Sequence, residues 1–358
     1  MLQYLIRRIL WACVLFVAIT MVAYVIFFII PVDPARLACG QRASDTCINN
    51  ARVTLGLDRP VYQQYSRFLW KLVVHRDLGK SYTNRQSVNE TVLNAAPVTA
   101  SLVIGGIVMC LLIAVPIGLL SALRPRSLID RGMMLFVLIA VSCQPFWLGL
   151  MLSYLLGVRA KLFPVGGYCN FTDPQVSTNL CGGPKNWAFH MILPWVTFAA
   201  LFTAYYARMI RASLLEQFNE DYVRTAHAKG ASPRRILRAH VFRNASLPVI
   251  TMLGMDVGVA FAGALFIETA FTLPGMGQLL VRALANADAP VILGIVLAVS
   301  VVVVLANLVV DILYSVLDPR IRLDGRRDVV KASRSIVREL RTPPQQKQQQ
   351  QAEPASPT

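Results

Sequence analysis

The sequence predicts an all-α integral membrane protein with six transmembrane helices, and three observations predict it. Of 358 residues, 55% are hydrophobic and only 15% charged, with a mean hydropathy of +0.53; a soluble domain carries about a quarter charged residues. The apolar residues gather in six uncharged or nearly uncharged runs, 9–30, 97–123, 132–158, 187–207, 247–267 and 290–310. Each run has the roughly 20 residues that a helix needs to cross a hydrocarbon core about 30 Å thick, and a helix bonds all of its own backbone there. An ordinary soluble enzyme is excluded.

The net charge of +16 raises nucleic acid as a partner, so the position of the charges matters. With the N-terminus inside, the inner segments hold two (Arg7, Arg8), three (Arg124, Arg126, Arg131), eight (from Arg208 to Arg243) and nine (from Arg320 to Lys347) basic residues. The long outer stretch 31–96 holds nine more but counts weakly in the positive-inside rule, so the short loops set both termini in the cytoplasm. The charges belong to a membrane boundary and its lipid, and no nucleic-acid partner is expected.

Taken in order, 1–30 is an N-terminal transmembrane helix. It begins like a secretory signal, with Arg7 and Arg8 ahead of an apolar run. The run is longer than the usual core of about 7–15 residues and no small-residue cleavage site precedes Pro31, so it is expected to be retained. Residues 31–96 form a large extracytoplasmic loop. Within it, 61–74 places Tyr62, Tyr65, Phe68, Leu69 and Leu72 near helical spacing, which predicts an amphipathic helix on the outer membrane surface or over a pore mouth. Residues 97–322 form a five-helix core interrupted by a cytoplasmic loop, 213–246. The tail 323–358 is charged, then rich in Gln and Pro, and disorder is its expected state.

The seven cysteines follow the same topology. Cys13, Cys110 and Cys143 fall within spans, as small apolar residues do. Cys39, Cys47, Cys169 and Cys181 fall only in outer loops, where disulfides persist, so the bridges Cys39 to Cys47 and Cys169 to Cys181 are expected. A metal site is the rival reading; the sequence sets no histidine near either pair, and none is expected.

Catalytic signatures are missing: no HExxH, GxSxG or CxxC occurs. Leu78-Gly79-Lys80-Ser81 resembles the end of a phosphate-binding loop, but the position of its first glycine is Val74. The chain is therefore read as a non-enzyme without a nucleotide site of its own and with no bound cofactor, driven by an ion gradient or by a separate protein. Carboxylates inside spans mark transport pathways by default. Asp256 is central in the fifth run and Glu268 lies near its outer end, and both are candidates to line a pathway. Asp311 and His190 sit nearer the interface, where solvation is cheap.

The inner loop is the most informative stretch. In 221–250, DYVRTAHAKGASPRRILRAHVFRNASLPVI, a helix runs up to Lys229 and Gly230 occupies a C-terminal cap that needs positive φ. Ser232 with Pro233 then reads as an N-cap and first turn, opening a second short helix toward Val241. Tyr222, Val223, Ala226, Ile236 and Leu237 interleave with Arg224, Lys229, Arg234, Arg235 and Arg238. Such a hairpin suits either lipid headgroups or a groove on a partner protein.

This loop resembles the cytoplasmic loop of binding-protein-dependent ABC importer permeases, where a motif of EAA type with a glycine docks in a cleft of the ATPase subunit. In that pattern the glycine is Gly230 and the Glu-Ala-Ala positions fall on Arg224, Thr225 and Ala226. The missing glutamate, together with His240, Arg243, Asn244 and Pro248, is similar to the dipeptide, oligopeptide and nickel branch. Met1 to Arg8, Ile30-Pro31-Val32-Asp33-Pro34, the 55–60 and 77–82 segments, 267–277 and 317–322 all resemble the first permease subunit of dipeptide and oligopeptide importers.

The resemblance implies a type I ABC importer permease (MetI-like) fold in a bacterial cytoplasmic membrane. It also implies a homologous second permease, two ATP-binding subunits that use ATP and Mg, an extracytoplasmic solute-binding protein and a peptide substrate. ATPase coupling would fall on Arg224, Thr225, Ala226, Lys229, Gly230, Ala231, Ser232, Arg234 and Ile236. An ion-coupled secondary peptide transporter and a permease for nickel or another small solute are the alternatives.

Overall fold

A computed structural model of the chain describes residues 2–25, 44–55, 60–75, 77–171 and 181–317. Cys39 and the tail 323–358 lie outside the described residues. The described chain is helical, with only isolated bridges between extended residues, Lys80 with Ser87 and Asn170 with Gly182. Its elements are α1 (Leu2–Tyr24), α2 (Asp45–Leu55), α3 (Val61–Trp70), α4 (Val88–Leu123), α5 (Leu128–Ser142), α6 (Pro145–Arg159), α7 (Pro184–Phe218), α8 (Asp221–Ala228), α9 (Pro233–Ala270), α10 (Met276–Ala285) and α11 (Ala289–Leu317). Among the described residues, α4, α7, α9 and α11 are long and apolar enough to cross a membrane.

The third apolar run does not form one helix. It divides into α5 and α6 at Cys143 and Gln144, because Pro145 supplies no N–H and its ring pushes the preceding residue out of the α region. Gln144 accordingly has φ −69° and ψ 135°, and Pro145 opens α6. Gly149 then lets α6 approach closely: a side-chain carbon there would lie 3.2 Å from Phe271 and 3.3 Å from Thr197. Helix α6 ends in a wider, π-type turn over Ser153–Arg159.

The core is built on α4 against α7, with α9 laid across both. One cluster joins Val98, Leu102, Met191, Phe198, Ala264 and Ile267. A second, at the other end, joins Ala114, Tyr206, Leu214, Val223, Ile236 and Val241. Small residues set the approach of α4 to α7: a methyl group on Gly118 would lie 2.8 Å from Ile210 Cγ2 and 2.9 Å from the Ala207 carbonyl oxygen.

The amphipathic helix α3 and the π-type turn Lys71–His75 after it set their apolar side chains against protein. Phe68 and Leu72 pack with Ala23 of α1 and with Leu293 and Leu297 of α11. Tyr65 Oη donates to the Val17 carbonyl oxygen at 3.1 Å, and Tyr24 donates to Gln64 Oε1 at 3.2 Å. The stretch fastens α1 to α11.

Candidate functional site

The 221–250 loop is a hairpin whose second arm is the long apolar helix α9 itself. Helix α8 closes on a two-bond cap: the Ala231 N–H donates to the Ala226 carbonyl at 3.2 Å and the Gly230 N–H to the His227 carbonyl at 2.9 Å. This pattern requires a left-handed residue after the last helical turn, and Gly230 supplies it at φ +75°. Ser232 has the extended backbone of an N-cap, with its hydroxyl making no cap bond. From Pro233 the helix runs on to Ala270 through a π-type turn at Leu237–Val241. The short second helix expected from sequence is thus the first turns of α9. No breaker stands between Pro233 and the apolar run, and Pro248 is accommodated inside the helix.

The hairpin separates into an anchored and a free face. Val223 and Ile236 are buried at 3% and 2% exposure against Leu214, Val241 and Ala245, and Ala226 and Ala231 pack partly against the same cluster. Arg224, Thr225, Lys229, Gly230, Ser232 and Arg234 are exposed. Ile236 is an apolar side chain with a core within reach, and it ties the hairpin to the bundle.

At this same end, an ion pair fixes the α4–α5 turn to α7. Arg211 Nε and Nη2 each donate to Asp130, to Oδ1 and Oδ2, at 2.8 Å. Ser121 Oγ also donates to Asp130 Oδ1, and the Arg126 N–H donates to Oδ2 at 3.0 Å. The Arg211 guanidinium, then Ser121, hold the Asp130 carboxyl well below the usual carboxylate range. In sequence, Arg211 is one of eight basic residues from Arg208 to Arg243, and the local signal for Asp130 is an acidic residue opening a helix beside a basic-rich end.

Glu268 sits near the opposite end of α9, with its side chain inside the protein. Its side chain is 0% exposed. Thr99 Oγ1 donates to Oε1 at 2.6 Å, while the Gly277 and Gln278 N–H groups donate to Oε2 at 2.7 and 3.1 Å. Thr99 in turn accepts the Met276 N–H at 2.8 Å. The carboxylate thus closes the N-terminus of α10, where free N–H groups and the helix dipole favour an anion, and both its oxygens are engaged inside the protein. Gly275 makes room, since a methyl group there would overlap the Glu268 carboxylate.

Beyond Glu268, at the same end, Asp288 precedes α11 and accepts the Ser81 hydroxyl and the Tyr82 N–H, the latter at 3.1 Å. Burial, then the Asp288 carboxylate, push the Tyr82 phenol up to about 12. The segment that resembled a phosphate loop is this latch. Its Gly79 has φ +89° and donates its N–H to Asp77 Oδ1 at 2.9 Å.

Cys169 and Cys181 are disulfide-bonded, with Cα atoms 5.3 Å apart. Cys47 is also disulfide-bonded, and Cys13, Cys110 and Cys143 are free. The expectation that no histidine stands near either pair is corrected: the first turns of α7 bring His190 Nδ1 to 3.3 Å from Cys169 Sγ. The three ligand atoms of Cys169, Cys181 and His190 lie within 4.8 Å of one another, but the bridge occupies both sulfurs, and a metal needs thiolates. Asp256 lies midway along α9, half-buried, and accepts the Tyr206 hydroxyl at 2.8 Å. The side chain of Asp311, on α11, lies outside the described residues.

A bundle of apolar helices with a capped, basic hairpin at one end and carboxylates at three levels defines a multi-pass membrane transport component. The chain belongs to the binding-protein-dependent transport system inner membrane component family, which matches residues 114–323, and the N-terminal component of the same systems matches 1–103. It is 36% identical over 337 residues to the dipeptide transport system permease protein DppB of Escherichia coli K12, covering 90% of this chain and 99% of that protein. A putative peptide transport system permease of Brucella abortus strain 2308 is 35% identical over 320 residues, covering 89% and 99%. The probable D,D-dipeptide transport system permease DdpB of Escherichia coli K12 is 37% identical over 334 residues, covering 90% and 98%.

Proposed function

We propose that this chain is one permease subunit of an ATP-driven importer of di- or oligopeptides. It forms half of the pathway with a homologous second permease, two cytoplasmic ATP-binding subunits and an extracytoplasmic solute-binding protein. ATP and Mg are bound by the ATPase partners. The membrane is the bacterial cytoplasmic membrane, with both termini and the α8–α9 hairpin inside. The peptide permeases it resembles over nine-tenths of its length support the substrate class.

The observation that carries the coupling role is the continuity of α9. Its first residues belong to the exposed turn after Gly230, its middle holds Asp256 and its far end holds Glu268 against α10. At ~1.5 Å per residue, Pro233 and Asp256 are about 35 Å apart along one continuous helix. A partner that closes on the exposed Arg224, Thr225, Lys229 and Arg234 therefore pulls the pathway directly, and the buried Val223 and Ile236 prevent the hairpin from yielding alone. Such rocking of a packed body is a two-state motion. Ala231→Cys, paired with cysteines along the cleft of the ATPase, tests the contact: an oxidative cross-link that depends on nucleotide state is expected, and no cross-link at any cleft position refutes the docking.

A further inference from the structure

Midway along the spanning helices, polar side chains from three helices meet in an apolar layer. Asp256 of α9 and Cys110 of α4 line a recess walled by Phe198, Phe202, Tyr206 and Leu253. The Tyr206 hydroxyl bonds one carboxylate oxygen, Oδ2. Thr203, one turn earlier on α7, stands beside Cys110. Its side chain is buried at 4% exposure, and apart from the Cys110 thiol beside it its hydroxyl has no hydrogen-bond partner. Among the described residues no ion pair reaches Asp256; along α7, Arg208 is exposed over the Tyr205 ring and Arg211 is held by Asp130.

A carboxylate at this depth is costly unless something compensates it, and intramembrane acids mark pathways for that reason. One neutral hydroxyl does not neutralise the charge. The Thr203 hydroxyl, with only a weakly bonding thiol beside it, is a second poorly met demand in the same layer, since a buried polar atom normally has a full partner. A visiting group that is cationic and donates several N–H bonds answers both, and aromatic faces beside it favour a cation further. A short peptide brings such a group in its terminal ammonium.

Building on the importer reading, we infer that Asp256 and Thr203 form a transit subsite for the terminal ammonium of the peptide, with Tyr206 orienting the carboxylate. Asp256 supplies the charge and its free Oδ1, Thr203 supplies an acceptor oxygen, and Phe198 and Phe202 shield the head group from lipid. The proton on the ammonium stays where it is, and no group is transferred.

The test uses the complete complex in proteoliposomes with a labelled dipeptide, ATP and the solute-binding protein. Asp256→Asn keeps volume and the acceptor for Tyr206 while removing charge, so it separates the subsite from a helix-to-helix bond. Uptake at least tenfold below wild type is expected for Asp256→Asn, with most of it recovered in Asp256→Glu. Tyr206→Phe, which keeps the charge but releases its orientation, should fall between wild type and Asp256→Asn. Normal uptake by Asp256→Asn overturns the subsite, as does a Tyr206→Phe loss equal to that of Asp256→Asn. Loss of the second permease from purified Asp256→Asn complexes would assign the charge to a subunit contact and also overturns it. So does wild-type uptake that follows an imposed proton or sodium gradient at saturating ATP, which would make the cation inorganic. A wild-type complex that imports nothing defeats the importer reading itself, whereas wild-type import matched by Asp256→Asn defeats the subsite alone.

Discussion

Gly230 offers a perturbation whose cost can be worked from geometry. A side chain added there meets no atom within 4 Å, so substitution creates no clash inside the chain and its whole effect is conformational. The residue sits at φ +75°, and a left-handed conformation costs an ordinary L-residue about 1–2 kcal/mol. That lowers the population of the docking-competent turn by roughly five- to thirtyfold. It is too little to unfold a bundle whose helices are anchored elsewhere, but enough to disorder a hairpin tip held by the two cap bonds from Gly230 and Ala231. Gly230→Ala should fall near the lower bound and Gly230→Val, which is β-branched, near the upper. Gly230→Asn should be the mildest, because asparagine tolerates this region. The assay is threefold: abundance in membranes, ATP hydrolysis stimulated by substrate, and uptake by the reconstituted complex. Abundance should stay near wild type while the other two fall in the order Asn, Ala, Val. Lys80→Ala, in the outer latch, should change none of them. Equal activity in Gly230→Val and wild type would refute the reasoning, and so would equal losses in all three variants, since a conformational cost must be graded.

Three further outcomes follow from the other polar sites. Arg211→Met should destabilise the detergent-solubilised protein by about 3 kcal/mol in thermal unfolding, because it leaves the Asp130 carboxylate buried and unpaired. The depressed Asp130 pKa means that this contribution is fully present above the unfolded carboxylate value and is lost only as pH falls through the folded one; the difference between Arg211→Met and wild type should hold constant from pH 8 to pH 5. Glu268→Ala should release the N-terminus of α10 and lower thermal stability by about 2 kcal/mol, and Gly275→Ala should reproduce it by displacing the same carboxylate; a Gly275→Ala protein as stable as wild type contradicts the cap. Thiol titration of denatured, unreduced protein should find Cys13, Cys110 and Cys143 reactive and Cys169 and Cys181 protected, with all reactive after reduction.

Much of this architecture is legible in sequence, and the failures have physical causes. The positive-φ glycine and the proline-opened helix after it were readable because turn chemistry is local: few residues other than glycine occupy that cap cheaply, and proline fixes the first turn. The division of the third apolar run was missed because hydropathy averages over the proline that breaks it. The burial of Ile236 in the bundle was not legible, because an interleaved apolar and basic pattern states that a face is buried without stating what buries it. Glu268 illustrates the same limit over a longer distance. An intramembrane carboxylate predicts an expensive site, but the N-terminus of α10 and Thr99, 169 residues away in sequence, became its partners only through packing. His190 beside Cys169 is likewise a product of the fold of the outer loop onto α7.

The most direct test of the central claim is uptake of a labelled dipeptide into proteoliposomes containing this chain and the second permease, with and without the two ATPase subunits. The account predicts accumulation only when both ATPases, the solute-binding protein and ATP on the hairpin side are all present, and none when Gly230→Val replaces the wild-type chain. Accumulation driven by a proton or sodium gradient without ATPases would contradict it.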